Sequence, residues 1–278
     1  MQQNSDLRLA VLIDADNVPS DSLKEMMEEV AKYGTPTFKR IYGDWTNPHL
    51  TRWKSALLIN AITPIQQYGY TTGKNSTDSA MIIDAMDILY TGKVDGFCII
   101  SSDSDFTRLA LRLREAGMLV IGMGQRKTPM PFIAACNKFV YIEILSAKSV
   151  TRNKGTDTTS VEETTEPDEA VKPIDKSLIS IIKESVEDLA DEDGWAFLGE
   201  VGNLMLKKQP DFDPRNYGFS KLKQLIKETK SFEIDERSNE KGTRNIKLVY
   251  IRQIAPLPAT VQNATAKKSG RKKGNTQA

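Results

Sequence analysis

Two carboxylates one residue apart close an apolar run at Ser101-Ser102-Asp103-Ser104-Asp105-Phe106. A second acidic pair, in Asp14-Ala15-Asp16-Asn17, ends the apolar stretch Leu9 to Ile13. A third acid, Asp78 in Lys74-Asn75-Ser76-Thr77-Asp78, enters a strongly apolar helical segment. Carboxylates gathered in one place repel unless a cation or a basic group offsets them, and oxygen-rich clusters of this kind suit Mg²⁺ or Mn²⁺. Each piece alone also fits helix capping, because Ser104, Asp105 and Asp78 all favour a helix N-terminus. Three acidic ends on one sheet edge are harder to assign to capping.

Other polar residues fit the chemistry less well. Six residues along a helix turn a side chain by about 240° net, so Asp84 faces away from Asp78, and Asp84 and Asp87 read as structural or solvated acids. Asp16 is set aside because successive side chains on a strand point to opposite faces. His49, the single histidine, follows Pro48 with no partner acid in view and reads as exposed structure.

The elements that must position these acids alternate. Strands are expected at Leu9 to Ile13, Thr37 to Tyr42, Thr63 to Tyr68, Gly96 to Ser101, Met118 to Met123 and Phe139 to Ile142. Helices are expected at Ser20 to Tyr33, Leu50 to Ala61, Ser76 to Tyr90, Ser104 to Ala116 and Pro131 to Cys136. Such alternation predicts an α/β fold, a Rossmann-like parallel sheet with helices on both faces. Ligands gather outside the carboxyl ends of such strands, which is where Asp14 and Asp103 fall.

Between Lys148 and Lys172 the composition shifts to Thr, Ser, Glu and Asp with few large apolar residues. This predicts a disordered linker over 146–172. A second periodic region follows. Helices are expected near Ile174 to Leu189, Leu198 to Lys207 and Ser220 to Thr229, then a β-hairpin from Phe232 to Asp235 and Ile246 to Ile251. Three helices and a two-stranded wing describe a small winged helix-turn-helix domain. The expected boundaries are therefore 7–145, 146–172, 173–252 and a tail at 253–278.

Net charge is +1 and hydrophobic residues make up 39% of the 278, enough for a real core and too balanced for a generally basic protein. The local positive excess lies in the tail, where Lys267, Lys268, Arg271, Lys272 and Lys273 meet no acid. Such a tail suits phosphate contacts or simple solvation. No apolar run approaches the roughly 18 residues that span a bilayer, and the N-terminus lacks the pattern of a signal peptide. Cys98 and Cys136 have no metal-ligand spacing and read as reduced, structural thiols. A cytoplasmic protein with no membrane partner is expected.

With these residues in view, the chain resembles a known family. Leu12-Ile13-Asp14-Ala15-Asp16-Asn17, then Lys74 to Asp78 with Ile83-Asp84-Ala85-Met86-Asp87, then Ser101 to Phe106 look like the NYN domain. That domain belongs to the PIN-like nuclease group, and its bacterial LabA-like branch is the nearest resemblance. Ser102 stands where the pattern has Gly. The resemblance implies a metal-dependent ribonuclease, with Asp14, Asp78, Asp103 and Asp105 as the catalytic acids and the Mg²⁺ or Mn²⁺ ligands. It also implies that Asn17 orients a ligand or the substrate, with Ser101 or Ser102 in a supporting role, either contacting a phosphate of the substrate or holding the acidic loop. The second region resembles the OST-HTH or LOTUS domain through Gly194-Trp195-Ala196, Val201-Gly202-Asn203-Leu204 and Tyr217-Gly218-Phe219-Ser220-Lys221-Leu222. That likeness implies RNA as a partner, with Lys221 and Lys223 on the third helix as contacts, and a protein partner through the same domain.

The expected chemistry is phosphodiester hydrolysis of RNA, with Lys74 either neutralising developing charge or solvated at the surface. A non-catalytic RNA-binding regulator, using both domains as platforms, is the alternative. A phosphatase of the haloacid dehalogenase type, with Asp14 as nucleophile, is a third reading.

Overall fold

The computed structural model describes residues 6–68, 76–145, 171–239 and 246–254. Lys74, residues 146–170, residues 240–245 and residues 255–278 lie outside the described residues.

The first unit is built on six parallel strands: β1 (Arg8–Asp14), β2 (Thr35–Gly43), β3 (Thr63–Gln66), β4 (Gly96–Ile100), β5 (Leu119–Gly124) and β6 (Lys138–Tyr141). Between them run α1 (Leu23–Val30), α2 (Trp53–Asn60), α3 (Ser76–Tyr90), α4 (Thr107–Glu115) and α5 (Met130–Ala135). Strand order is β3-β2-β1-β4-β5-β6, and every neighbouring pair is parallel. The chain winds outward from β1 in one direction, then returns past it to β4. The β1/β4 junction is thus the topological switch point, where adjoining loops part and leave a crevice.

Burial explains why these segments are strands. Leu9, Ala10, Val11, Leu12 and Ile13 are all fully buried, as are Phe97, Cys98, Ile99 and Ile100, so both faces of the two central strands are covered. Each fully buried large apolar side chain contributes about 1.5–3 kcal/mol. Glycine is needed where β5 meets β6: a Cβ on Gly122 would lie 2.6 Å from the Phe139 ring and 2.7 Å from Cys136 Sγ. Cys98 and Cys136 are free and buried, and burial raises both thiols, Cys136 to about 12, which leaves them inert.

Helix α3 runs over the expected residues. Three other helices are shorter because a 3₁₀ turn replaces the first α-turn, at Ser20–Ser22, Pro48–Arg52 and Ser104–Phe106. Strand β3 stops at Gln66 rather than Tyr68.

The second unit holds α6 (Lys176–Glu187), β7 (Ala196–Phe197), α7 (Leu198–Lys208), α8 (Leu222–Thr229), β8 (Phe232–Asn239) and β9 (Ile246–Gln253). Its sheet has three strands in the order β7-β9-β8, not the two expected. The extra strand, β7, is two residues long, too short to leave a periodic signal. Its core centres on Leu178, Ile182, Val201, Met205, Leu225, Ile226 and Ile251.

The two units touch directly, so the second is docked as well as tethered. The Phe139 backbone N–H on the outer edge of β6 donates to the Pro210 carbonyl at 2.8 Å. Tyr141 donates its hydroxyl to Asp211 Oδ2 at 2.8 Å, and Lys172 Nζ reaches the same oxygen at 3.2 Å. Lys172, expected within the linker, is therefore fixed; its backbone N–H also donates to the Asn216 carbonyl. Arg215 bridges to Glu29 on α1.

Candidate active site

Asp14 is the last residue of β1, in register beside the end of β4, where Ile13 pairs with Ile100. Its side chain is buried and held by three donors. Asn17 Nδ2 and Ser101 Oγ donate to Oδ2 at 2.7 and 2.8 Å, and the Asp16 N–H donates to Oδ1 at 3.1 Å. The Ser101 hydroxyl also accepts from the Asp103 N–H at 3.1 Å, so one serine ties the end of β1 to the loop after β4. Ser102 Oγ accepts from the Gln125 N–H at 2.8 Å and anchors that loop to the end of β5. Both serines are buried. Asn17, Ser101 and Ser102 thus shape the acidic loops.

Asp103 caps the 3₁₀ turn by accepting the Asp105 N–H at 2.9 Å, a role the sequence offered to Ser104. Asp78 stands in the first turn of α3, buried. Carboxylate oxygens of Asp78, Asp103 and Asp105 all lie within 4.8 Å of one another. Burial and then the charges of Asp14, Asp103, Asp105 and Asp16 push the Asp78 carboxyl up to about 6. That displacement expresses like-charge repulsion in a partly dry site, which a divalent cation would relieve. The donor set, all carboxylate oxygen with no His or Cys, fits Mg²⁺ or Mn²⁺.

One acid was set aside and another, Asp44, went unread. Residues two apart on a strand share a face, so alternation does not part Asp16 from Asp14, and the chain in any case turns after Asp14. Burial, Asp14 and Asp44 raise the Asp16 carboxyl, while a hydrogen bond with Thr77 opposes them. Asp44 follows β2, the neighbour of β1. The strand-end rule that found Asp14 applies equally to Ile41-Tyr42-Gly43-Asp44. Asp44 is engaged, accepting from Thr46 and from Gln66 Nε2 at 2.8 Å.

The remaining residues fall outside the cluster. Asp84 accepts from Arg40 at 2.7 Å and from the buried Tyr42 hydroxyl at 2.9 Å, the structural role expected. Asp87 and His49 are exposed. In the second unit Lys221 is exposed just before α8, whereas Lys223 is paired with Glu236. Among the described residues, no helix is long and apolar enough to cross a membrane.

Comparison with known proteins agrees with this architecture. Residues 8–143 match the NYN domain family and residues 169–243 the OST-HTH/LOTUS domain family. No curated protein gives a significant match. Among solved structures, the chain is similar to a protein of unknown function from Vibrio parahaemolyticus, at 20% identity and a TM-score of 0.44, over 51% of this chain and 96% of that one. It is also similar to an uncharacterized protein of Nitrosomonas europaea, at 31% identity and a TM-score of 0.28, over 37% and 94%. A Chromobacterium violaceum protein shares 28% identity at a TM-score of 0.25, over 34% and 99%. The NYN match displaces the haloacid dehalogenase reading of Asp14. NYN domains point to nuclease activity and OST-HTH/LOTUS domains to RNA binding. On its PIN-like parallel sheet, its winged helical domain and both family matches, this chain joins an NYN domain over residues 8–143 to a C-terminal OST-HTH/LOTUS domain over residues 169–243.

Proposed function

We propose that the chain is a divalent-metal-dependent ribonuclease whose OST-HTH/LOTUS domain holds RNA beside the NYN acidic site. The observation that carries this reading is the convergence of Asp78, Asp103 and Asp105 at the switch point, with oxygens within 4.8 Å of one another. Asp78, Asp103, Asp105 and Asp14 are the residues that would hold Mg²⁺ or Mn²⁺. When bound, such a cation supplies Lewis acidity toward phosphate oxygen and lowers the pKa of water.

The chain's own residues do the remaining work. Asn17 and Ser101 orient Asp14 through its Oδ2. Ser102 fixes the loop that carries Asp103 and Asp105. Both loops follow the carboxyl ends of neighbouring strands, β1 and β4. Lys221 is the freer of the two lysines proposed for RNA contact, since Lys223 must first leave Glu236. We place the domain with the LabA-like branch on its Asp14-Ala15-Asp16-Asn17 motif and expect it to act on RNA in the cytoplasm.

The test is cleavage of a labelled RNA with Mn²⁺ against EDTA, by the wild type and by Asp103→Asn. Cleavage should require Mn²⁺ and fall at least about a thousandfold in the variant, the scale seen when a central catalytic group is removed. A second reading, a non-catalytic RNA-binding platform, draws support from the structural duties of these acids: Asp14 accepts three hydrogen bonds and Asp103 caps a turn. RNA binding without Mn²⁺-dependent cleavage would favour it.

A further inference from the structure

Where the winged domain meets the edge of the sheet, a cavity of about 440 Å³ opens, within the range of about 300–1,000 Å³ that ligand pockets occupy. Its walls are apolar, with Phe197 at the start of α7, Phe212 in the loop after it, and Leu222 at the start of α8. Two glycines keep it open. A Cβ on Gly199 would come 2.8 Å from the Phe197 ring, and one on Gly202 would come 3.0 Å from Leu222.

The polar lining is different in kind. Lys138 comes from β6 of the NYN domain and Lys247 from β9 of the winged domain, so the two units furnish one cation each. Asn203 projects from α7 on the same rim, and its amide has no hydrogen-bond partner among the described residues. Asp213, the acid in the lining, already accepts three hydrogen bonds from Arg215, so its charge is answered. Lys138 Nζ lies 5.0 Å from the centre of the Tyr33 ring, and Lys247 is largely exposed, 3.9 Å from Glu236.

We propose that this seam between the domains receives one unpaired base of an RNA strand, with Asn203 at the base edge and Lys138 and Lys247 toward the flanking phosphates. Splayed bases are bound by this combination: apolar or aromatic walls for the faces, an amide for the edge, cations for the backbone. An aliphatic side chain from a protein partner would use the walls, leave the Asn203 amide unanswered, and leave Lys247 with only its long 3.9 Å contact to Glu236. The amide and the two cations on the lining therefore favour a nucleic acid. The pocket also gives the docked arrangement a purpose, because neither domain alone completes it. It rests on RNA being the ligand, as proposed above, but not on cleavage.

The experiment uses the full chain in EDTA, so that binding is read without hydrolysis. A fluorescein-labelled single-stranded RNA is titrated with wild type, Asn203→Ala and the cavity-filling Gly202→Leu, alongside copies of the RNA carrying one abasic position each. Both variants should weaken binding about tenfold, the scale of one lost base contact. One abasic position should cause the same loss and add nothing further in Gly202→Leu. Asn203 is exposed, so its alanine variant should keep the wild-type thermal midpoint. Wild-type affinity in a folded Asn203→Ala, absence of any abasic-sensitive position, or absence of RNA binding by the wild type would each overturn the pocket. Mn²⁺-dependent cleavage, measured separately, reports on the acidic site whichever way this falls.

Discussion

Arg215 of the winged domain grips Glu29 of the NYN domain at two points, Nη1 to Oε2 and Nη2 to Oε1, both at 2.8 Å. The same guanidinium is bonded to Asp213 on its own domain. Glu29 is 2% exposed, so this contact lies in the body of the interface and not at its rim. Planar, two-point pairing is what arginine offers and lysine does not.

Replacing Arg215 by alanine should therefore be costly. It strands the buried Asp213 carboxylate and leaves Glu29 with only Lys32 and the Tyr33 hydroxyl; losing one partner of a buried pair costs about 3–5 kcal/mol. Urea denaturation should show a lower midpoint, and small-angle scattering a larger radius of gyration as the domains part. An unchanged midpoint and radius would mean that the docking rests on other contacts.

Acid should loosen the same contact. Burial alone would raise the Glu29 carboxyl, but hydrogen bonds from Arg215 and Lys32, the charge of Arg215 and the Tyr33 hydroxyl bring it down to about 2 from an ordinary 4.5. Between those values the unfolded chain binds more protons than the folded one, so stability falls as pH drops through this window. Above pH 4.5 the contribution is fully present. Thermal midpoints between pH 6 and pH 2.5 should fall more steeply for the wild type than for Glu29→Gln, and parallel slopes would contradict this.

Metal should stabilise the NYN domain measurably. A ligand at a hundred times its Kd adds about 2.7 kcal/mol to the folded state. Mn²⁺ should raise the thermal midpoint, EDTA should reverse the rise, and Asp103→Asn should show little of it. A wild-type midpoint indifferent to Mn²⁺ would leave the acidic cluster without a cation.

Asn17→Ala and Ser101→Ala should each lower Mn²⁺-dependent cleavage by about 10–100-fold, the usual effect of losing a group that orients a ligand residue. Both act through Asp14, so the double variant should be less damaging than the product of the singles. Simple multiplication of the two losses would show that they work at separate places.

Local pattern carried much of this molecule. Apolar runs ending in acids located β1 and β4, and period 3.6 placed α3 from Ser76 to Tyr90. Loops at the carboxyl ends of parallel strands share one edge whatever the strand order, so Asp14, Asp78 and Asp103 could be grouped from the sequence. Other features left no local trace. Asp16 joins the site through a turn beyond the strand end, and β7 is visible only through its pairing with β9.

What tertiary structure alone decided is who stands beside whom. The order β3-β2-β1-β4-β5-β6 sets Ser101 against Asp14 across 87 residues, and docking sets Arg215 against Glu29 across 186. Periodicity records which face of an element is buried, since that depends on residues a few positions apart. Pairing between distant segments depends on strand order and on the fit of two finished surfaces, and no spacing along the chain encodes either.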